Sequence, residues 1–191
     1  MADLEYFKRR FICWLLRIER WHAASGMLQP YRQSVVQHAR AISPDSVVEF
    51  GCGFGEIICQ IPARVRLGTD ASARVLVGAR LCHFREWALK GLQFARLRLG
   101  EPLSGVFSCI ICVNFAHSVA PDTLKAALSE LVHKNLAPGG LLIFDVVEEQ
   151  PNSISHDPAF LLSDLGFEFE IVSGFSFGRS LVFAQERIDP T

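Results

Sequence analysis

Alternate glycines after a short apolar run are the feature of this sequence best suited to chemistry. Gly51, Gly53 and Gly55 follow the β-rich run 46–50, and a short helix is expected directly after them, over 56–60. Glycine adopts backbone angles that other residues rarely take, and it lets a ligand approach the main chain closely. A helix that starts at such a loop presents free N–H groups. The spacing predicts a loop that binds a nucleotide-like ligand at the carboxyl end of a strand.

Two acidic residues narrow the class of ligand. The chain lacks the GxxxxGK sequence of a phosphate-binding loop, and its third glycine comes one residue early for the dinucleotide fingerprint GxGxxG. Glu49 precedes Gly51 by two residues, and Asp70 follows the next apolar run, 64–69. An acid there can accept hydrogen bonds from both ribose hydroxyls, and its distance from Gly51 is close to the roughly 20 residues typical of such acids. The alternatives are a loop-stabilising Glu49 and a helix-capping Asp70.

A second set of candidates follows the strong apolar run 106–113. Asn114 and His117 come shortly after it. A histidine titrates near neutral pH and serves as a general base when an attacking hydroxyl must lose its proton. We expect His117 to be a base or an acceptor contact, with a loop or helix-capping role as the alternative, and Asn114 to line the site. Asp145, in the apolar run 141–147, is a candidate contact for a polar acceptor.

The first 44 residues supply helices rather than strands. Residues 3–23 place apolar side chains at helical spacing, and the basic side chains mostly lie off that stripe. We expect this helix to cap the domain with its apolar side packed inward; contact with a membrane surface or an anionic acceptor is the alternative. Pro30 suits the first turn of a second helix, 30–42. Candidate walls of an acceptor pocket are Trp21, His22, Tyr31, Arg32 and the later loop 148–157.

From residue 45 onward, the expected strands and helices alternate. Strands are expected at 46–50, 64–69, 92–99, 106–113, 141–147, 167–172 and 180–185. Longer helices are expected at 72–84, 123–135 and 157–165. This order predicts an α/β fold: a Rossmann-like, seven-stranded, mostly parallel sheet with helices on both faces and an antiparallel C-terminal hairpin. We expect one domain, in which 1–44 is a helical cap and 45–191 binds the ligand.

Composition argues against several classes of function. The net charge is −1 and the sequence pI is about 6.6, which disfavours a nucleic-acid partner. No apolar run reaches the roughly 18 residues of a membrane span, and no signal-peptide cleavage site is evident. The six cysteines form no disulfide framework, so we expect reduced thiols in a cytoplasmic protein. Cys109 and Cys112 lie in an expected strand and point to opposite faces, so no metal site is expected.

In this order, the motifs resemble those of the class I, Rossmann-like S-adenosylmethionine-dependent methyltransferases over about residues 45–186. The run 49–55, EFGCGFG, resembles their first motif, E/D-x-G-x-G-x-G. Residues 67–72 resemble the second-strand segment that holds the ribose, and 135–143, with its Pro-Gly-Gly turn, resembles the turn before their fifth strand. The resemblance implies S-adenosylmethionine (SAM) as the cofactor and S-adenosylhomocysteine (SAH) as its product.

The resemblance also implies roles for single residues around the cofactor. The backbone of Gly51 and Gly53 would approach the amino-acid end of SAM. Glu49 would orient the loop and help to hold the ammonium group. Asp70 would bind the ribose, and Ala71 would lie against the adenine.

Other positions depart from the family's pattern. Gly100 and Glu101 match a Gly-Asp pair that contacts the adenine amine in many members, with glutamate in place of aspartate. Asn114 matches the first position of the Asn-Pro-Pro-Tyr motif of amino-methylating members, but Phe, Ala and His follow at 115–117, which argues against adenine-N6 and glutamine methylation. The implied cofactor residues are Glu49, Phe50, Gly51, Cys52, Gly53, Gly55, Asp70, Ala71, Gly100, Glu101 and Asn114.

The resemblance implies an enzyme that methylates a small molecule. Methylation of a hydroxyl or carboxyl oxygen, on a glycan or natural product, is favoured over nitrogen because of His117, and Asn114 is the second candidate for catalysis. An N-methyltransferase and a SAM-binding regulatory or partner protein without catalysis are the alternatives. A nicotinamide-dependent oxidoreductase fits less well because of the early third glycine and the terminal hairpin. We expect a monomer or a homodimer.

Overall fold

The computed structural model of the chain describes residues 2–23, 29–148 and 154–186. Its helices are α1 (Ala2–Leu16), α2 (Pro30–Ala41), α3 (Ala73–Cys82), α4 (Phe84–Leu89), α5 (Pro121–Asn135) and α6 (Pro158–Leu162). Its strands are β1 (Ser46–Phe50), β2 (Val65–Asp70), β3 (Leu92–Arg96), β4 (Phe107–Cys112), β5 (Leu136–Val147), β6 (Phe167–Phe175) and β7 (Arg179–Glu186). Short 3-10 helices cover Arg20–Ala23, Ile58–Gln60, Ala116–Ser118 and Ser176–Gly178.

The strands of the described chain form one seven-stranded sheet in the order β3-β2-β1-β4-β5-β7-β6. Strands β1 to β5 pair in parallel, whereas β7 runs antiparallel to β5, and β6 antiparallel to β7. Parallel neighbours need long crossover connections, whereas antiparallel neighbours can be joined by a short turn. The arrangement confirms the predicted Rossmann-like α/β fold and its closing hairpin.

Helices cover both faces of this sheet because successive residues of a strand point to opposite sides. Val47 clusters with Val35 of α2 and Leu76 of α3 on one face. Its neighbour Val48 clusters with Leu128 of α5 on the other. All the residues of β1 are buried, as expected of a central parallel strand that is covered on both sides. β1 therefore leads the glycine loop out of the middle of the core.

The first helix is shorter than the sequence predicts. α1 ends at Leu16, because Arg17 takes a left-handed conformation with a φ of 52°. The N–H of Ile18 then donates to the carbonyl of Cys13 at 2.9 Å, which closes the last turn. A separate 3-10 turn, Arg20–Ala23, follows. The single helix expected over this region is therefore wrong: the chain forms two elements with a turn between them.

The face of α1 that packs inward is also not the expected one. Ile12 and Cys13 are buried in a cluster with residues of α3 and the glycine loop, whereas Trp14 on the apolar stripe is exposed. Arg9 is buried as well, in an ion pair with Glu56. A charged side chain is buried only when it is paired in this way. The expectation failed because an apolar stripe normally marks the inward face of a helix, and the partner of Arg9 is far away in sequence.

The glycine loop is followed by turns rather than by an α-helix. Within residues 51–61, only the 3-10 turn Ile58–Gln60 is helical, and Ile61 before Pro62 is extended. The residue before a proline is disfavoured in the helical region, so the segment has no room for an α-helix. The loop therefore supplies its own N–H groups, and the helix expected directly after it is wrong.

Smaller differences concern where elements begin. Ser72 caps α3 as expected, by accepting a hydrogen bond from the N–H of Val75 at 3.4 Å, but the helix expected there divides into α3 and α4. α5 begins at Pro121 instead of being capped by Asp122, because proline fits the first helical turn. The Pro-Gly-Gly segment 138–140 lies inside β5, where the pairing with β4 shifts register.

Candidate functional site

A cavity of about 630 Å³ opens where β1, β2 and β4 end. The carboxyl edge of a parallel sheet is where α/β proteins bind their ligands. Ten of the candidates from the sequence line it: Glu49, Phe50, Gly51, Cys52, Gly53, Asp70, Ala71, Asn114, His22 and Arg32. Six described candidates do not line it: Gly55, Gly100, Glu101, Tyr31, Asp145 and His117. The side chain of Trp21 and residues 149–153 of the expected acceptor loop lie outside the described part of the chain.

Sequence reasoning missed more than half of the cavity wall. The lining residues that it did not propose are Arg17, Ile18, Glu19, Glu56, Ile57, Ser72, Arg74, Val75, Leu97, Arg98, Leu99, Phe115 and Val119. Eleven of these 13 lie inside predicted elements, chiefly at the start of the helices 56–60 and 72–84 and at the end of the strand 92–99, so their nearness to strand ends was the available signal.

The glycine loop lies across the end of β1, and each of its three glycines has a positive φ. A Cβ on Gly51 would stand only 2.8 Å from the ring of Phe115, so a larger residue has no space there. The N–H of Cys52 donates to the carbonyl of Thr69 at 2.8 Å, which ties the loop to β2. The loop thus exposes main chain to the cavity in a conformation that favours glycine.

Glu49 is buried at the end of β1, and its side chain faces both the loop and the cavity. Its Oε2 accepts a hydrogen bond from the N–H of Ile58 at 2.9 Å. Burial raises the pKa of Glu49 to about 8; the carboxylates of Glu56 and Asp70 add to the rise, while the Ile58 N–H and Arg32 oppose it. An uncharged carboxyl group at neutral pH is ready to ionise when a cation arrives beside it.

Asp70 ends β2 and holds two backbone groups. Its Oδ2 accepts from the N–H of Gly53 at 3.2 Å, and its Oδ1 accepts from the N–H of Ser72 at 2.8 Å. The carboxylate therefore supports the glycine loop and the start of α3, which is the role that the sequence left open. A carboxylate accepts about four hydrogen bonds, so it keeps the capacity to bind ligand hydroxyls in the cavity.

Glu56, directly after the glycine loop, joins three segments of the chain. It forms an ion pair with Arg9 of α1, and its Oε2 lies 3.7 Å from Nη1 of Arg32 in α2. All three side chains are largely buried. A buried ion pair is favourable only when its partners are well placed, so Glu56 holds the helical N-terminal region against the glycine loop.

His22 covers the loop from the N-terminal side. Its ring stacks on Phe54 with centroids 5.4 Å apart. Burial lowers the pKa of His22, against the raising effect of nearby acids, chiefly Asp70 and Glu56. The lowered pKa favours a neutral ring, which presents an aromatic surface to the cavity rather than a charge.

Part of the cavity lining is apolar. Leu97 and Leu99 follow β3, which ends earlier than predicted, and they line the cavity together with Val119. Glu101 is exposed and accepts a hydrogen bond from the N–H of Arg98 at 2.9 Å. With Gly100, it lines a separate cavity of about 100 Å³. The two candidates for a polar adenine contact, Gly100 and Glu101, therefore lie outside the cavity lining, whereas Leu97 and Leu99 belong to it.

Asn114 is the centre of a side-chain network beside the cavity. It takes a φ of 73°, and its N–H donates to both carboxylate oxygens of the fully buried Asp145 at 3.1 Å each. Its Oδ1 accepts from the Tyr31 hydroxyl at 2.5 Å. The Tyr31 oxygen accepts in turn from Nε of Arg32 at 2.8 Å. Tyr31 and Asp145 thus do not line the cavity themselves, but both hold Asn114, which does. Tyr31 also holds Arg32, another residue of the lining.

Arg179 completes this network and was missed by the sequence reasoning. It is buried at the start of β7, forms an ion pair with Asp145 and places its guanidinium 4.4 Å from the ring centroid of Tyr31. Burial lowers the pKa of Arg179, a shift that its contact with Tyr31 opposes. No motif marks Arg179, because only the folded hairpin brings it to β5.

His117 lies one turn beyond Asn114, in the 3-10 helix Ala116–Ser118. Its Nδ1 is buried and has no hydrogen-bond partner among the described residues. Burial lowers the pKa of His117, and the nearby Arg179 and His156 lower it further. His156, which the sequence reasoning also missed, is buried and donates through Nε2 to the carbonyl of Ala116 at 3.0 Å. A neutral imidazole with a free nitrogen can accept a proton.

Among the described residues, no group of three or more His, Cys, Asp or Glu side chains is arranged to hold a metal ion. None of the described helices is both long and apolar enough to cross a membrane.

No protein-family model and no curated protein sequence matches the chain. Solved structures do match. The magnesium protoporphyrin IX methyltransferase of Synechocystis PCC 6803, with bound SAM, aligns with a TM-score of 0.67 and 23% identity over 82% of this chain and 80% of its own. The N-methyltransferase NodS of Bradyrhizobium japonicum WM9, in complex with SAH, aligns with a TM-score of 0.69 and 15% identity over 95% and 99%.

A third structure is similar over most of both chains. CalS10, an amino pentose methyltransferase of Micromonospora echinaspora with bound SAM, aligns with a TM-score of 0.64 and 15% identity over 92% of this chain and 95% of its own. Identities this low establish architecture rather than activity. The chain has the fold of the class I S-adenosylmethionine-dependent methyltransferases.

Proposed function

We propose that the chain is an enzyme that binds SAM in the cavity at the ends of β1, β2 and β4 and transfers its methyl group to a small-molecule acceptor. One observation carries the proposal: the cavity brings together Glu49, the backbone of Gly51 and Gly53, and Asp70. The similar structures with SAM or SAH bound support the same choice of cofactor.

The cavity is asymmetric in a way that suits the cofactor. Glu49 and the glycine loop would hold the amino-acid end, where a carboxyl group that ionises on contact can pair with an ammonium group. Asp70 would accept hydrogen bonds from the ribose, with Ala71 beside the adenine. Leu97 and Leu99 would enclose the adenine ring. The family resemblance implied that Gly100 and Glu101 contact the adenine, and we assign that position to Leu97 and Leu99 instead.

When bound, SAM supplies an electrophilic methyl group on a sulfonium. Methyl transfer to such a group needs alignment more than activation. The acceptor oxygen donates an electron pair to the methyl carbon while the carbon–sulfur electrons remain on sulfur, and the hydroxyl proton must leave. We assign that proton to His117, whose lowered pKa favours the neutral ring, and we assign Asn114 to the wall beside the methyl group. Oxygen is therefore favoured over nitrogen as the acceptor.

Ligand binding tests the cofactor. SAH should raise the melting temperature, whereas NAD should not, and Asp70→Ala should abolish the SAH effect. Asp45→Ala is the matched control, because Asp45 is an exposed acid in a surface pair with Arg64. If neither ligand shifts melting, or if D70A responds like the unchanged protein, the cofactor site is wrong.

Methyl transfer tests the reaction. Labelled SAM and a panel of hydroxyl, carboxyl and amine acceptors should give a product with an oxygen acceptor. The unchanged protein should lose rate below pH 6.5 as His117 takes up a proton, and His117→Ala should lack this dependence on pH. An unchanged pH profile in H117A would rule out His117 as the base, and a product only with amines would rule out the preference for oxygen.

A SAM-binding protein without catalysis is the second candidate. It is favoured by the acceptor end, where Tyr31, Asp145 and His117 stand outside the cavity lining. A protein that binds SAH but methylates no acceptor of the panel would support it.

A further inference from the structure

The outer face of α1 is apolar and exposed. Its large exposed side chains are Leu4, Tyr6, Phe7, Phe11, Trp14 and Leu15. Trp14 is 73% exposed, Phe7 63% and Phe11 59%. At 3.6 residues per turn these three residues fall on one side of the helix, opposite the buried Arg9, Ile12 and Cys13. α1 therefore has two different faces, and in the described part of the chain the core packs against the inner one.

Basic residues border this outer apolar face, which we call the aromatic face of α1. On the helical wheel Lys8 falls on one flank of the arc formed by Phe7, Phe11 and Trp14, and Arg10 falls on the other. Both basic residues are exposed. Aromatic side chains between basic ones are the pattern of helices that lie in the interface of an anionic bilayer.

Basic and acidic residues are unevenly divided between the two halves of the chain. Residues 1–96 contain 14 Lys and Arg against eight Asp and Glu, whereas residues 97–191 contain five against 12. The first set forms α1 to α4 and the β3-β2-β1 half of the sheet, and the second set forms the other half. The net charge of −1 hides this separation. An anionic surface would attract the half that carries α1 and repel the other half.

The aromatic face is coupled to the ligand cavity. Arg17 and Ile18 line both that cavity and an outer groove formed with Phe7, Phe11 and Trp14. On its inner side, α1 is tied to the glycine loop through the Arg9–Glu56 ion pair. A surface that binds the outer face of α1 would therefore lie next to the opening of the cavity.

We propose that the aromatic face of α1 binds the surface of an anionic lipid bilayer, with Phe7, Phe11 and Trp14 inserted at headgroup level. A second copy of the chain fits this face less well. Pairing two such faces would bring their basic flanks together. The proposal does not depend on methyl transfer.

Co-sedimentation with vesicles tests the proposal. The protein should bind vesicles of phosphatidylcholine with about one third phosphatidylglycerol, bind pure phosphatidylcholine more weakly, and dissociate as salt is raised. The variant F7S/F11S/W14S should bind the anionic vesicles at least about tenfold more weakly than the unchanged protein. The matched control is F169S/I171S/F177S, which removes three exposed apolar side chains from β6 and the turn after it and should bind like the unchanged protein.

Each other outcome overturns the proposal. The first is a protein that stays in the supernatant with anionic vesicles, and the second is an equal loss of binding in both triple variants. The third is a dimer that becomes a monomer in F7S/F11S/W14S by sedimentation velocity, since the occupant would then be a second copy. Because the substituted side chains are exposed, SAH-induced stabilisation should persist in F7S/F11S/W14S and show that it folds. R10E provides a second test with a single exposed charge, and unchanged binding of R10E to anionic vesicles would also count against the proposal.

Discussion

The two ends of the site are built in different ways. The cofactor end consists of backbone and neighbouring side chains from two short stretches, 49–56 and 70–72. The proposed acceptor end consists of side chains from four distant segments: Tyr31, Asn114, Asp145 and Arg179. The first end depends on local conformation and the second on buried polar contacts. Substitutions at the cofactor end should therefore lower ligand affinity, whereas substitutions at the acceptor end should lower stability.

Removing the charge of Arg179 should have the largest effect. Arg179→Met leaves the carboxyl group of Asp145 fully buried without its ion-pair partner. Breaking a buried ion pair on one side lowers the free energy of unfolding by about 3–5 kcal/mol. Urea denaturation would measure the loss.

The control for R179M is Arg64→Met, which breaks the exposed pair with Asp45. Exposed pairs contribute little, so R64M should unfold at nearly the same urea concentration as the unchanged protein. Similar losses in R179M and R64M would show that the acceptor end is not held by its buried ion pair.

A methyl group at Gly51 should have the next largest effect, and mainly on ligand binding. Gly51→Ala adds a Cβ at a φ of 64° and 2.8 Å from the Phe115 ring. The backbone strain alone amounts to about 1–2 kcal/mol, and the ring must also move. We expect SAH affinity, measured by calorimetry, to fall by about tenfold or more.

Gly100→Ala tests whether the effect of G51A comes from backbone strain or from the position of Gly51 in the cavity wall. Gly100 also has a positive φ, of 86°, but nothing lies within 4 Å of its Cβ position, and it does not line the cavity. G100A should therefore lose stability but keep SAH affinity. A loss of affinity in G100A as large as in G51A would place the adenine near Gly100 after all.

Sequence reasoning named the glycine loop and Asp70, which the structure brings together at the wall of the cavity. A loop made of backbone requires glycine at fixed positions, so its pattern is visible in a row of residues. The order of strands and helices is similarly local, which is why the fold and its hairpin were predicted. The helix after the loop was wrong because the effect of Pro62 on Ile61 was overlooked.

The acceptor end could not be predicted in the same way. Nothing in the local sequence around Arg179 or His156 marks them, since each acts through contacts with β5 or with the segment after β4. The inward face of α1 failed similarly, because the partner of Arg9 is Glu56. Buried ion pairs between distant segments are set by the tertiary structure, and only folding brings the partners together.

The pKa of Glu49 gives the cofactor end a pH dependence. A cation beside Glu49 stabilises the carboxylate, so binding of SAH should release a proton while Glu49 is protonated in the free protein. Affinity should rise with pH by up to about tenfold per unit and level off above the pKa of about 8. Calorimetry in buffers of different ionisation enthalpy would count the proton.

The stability of the ligand-free protein should change in the opposite direction. Between pH 4.5 and about 8, Glu49 keeps its proton in the folded protein, whereas the unfolded chain has lost it. Its contribution to stability is therefore complete below pH 4.5 and is lost as the pH rises to about 8. Glu49→Gln should remove both dependences, and Glu101→Gln, an exposed acid outside the cavity, neither. A pH-independent affinity in the unchanged protein would show that Glu49 does not meet the cation.

Removal of the Tyr31 hydroxyl should have the smallest effect and is the sharpest test of whether the two ends are separate. Tyr31→Phe loses the hydrogen bonds to Asn114 and from Arg32, and the loss in unfolding free energy should be about 1 kcal/mol. SAH affinity should stay unchanged, because Tyr31 does not line the cavity. The other tyrosine, the exposed Tyr6, gives the control, and Y6F should change neither quantity. A fall in SAH affinity in Y31F alone would mean that Asn114 transmits the acceptor network to the cofactor, and the two ends would then be one unit.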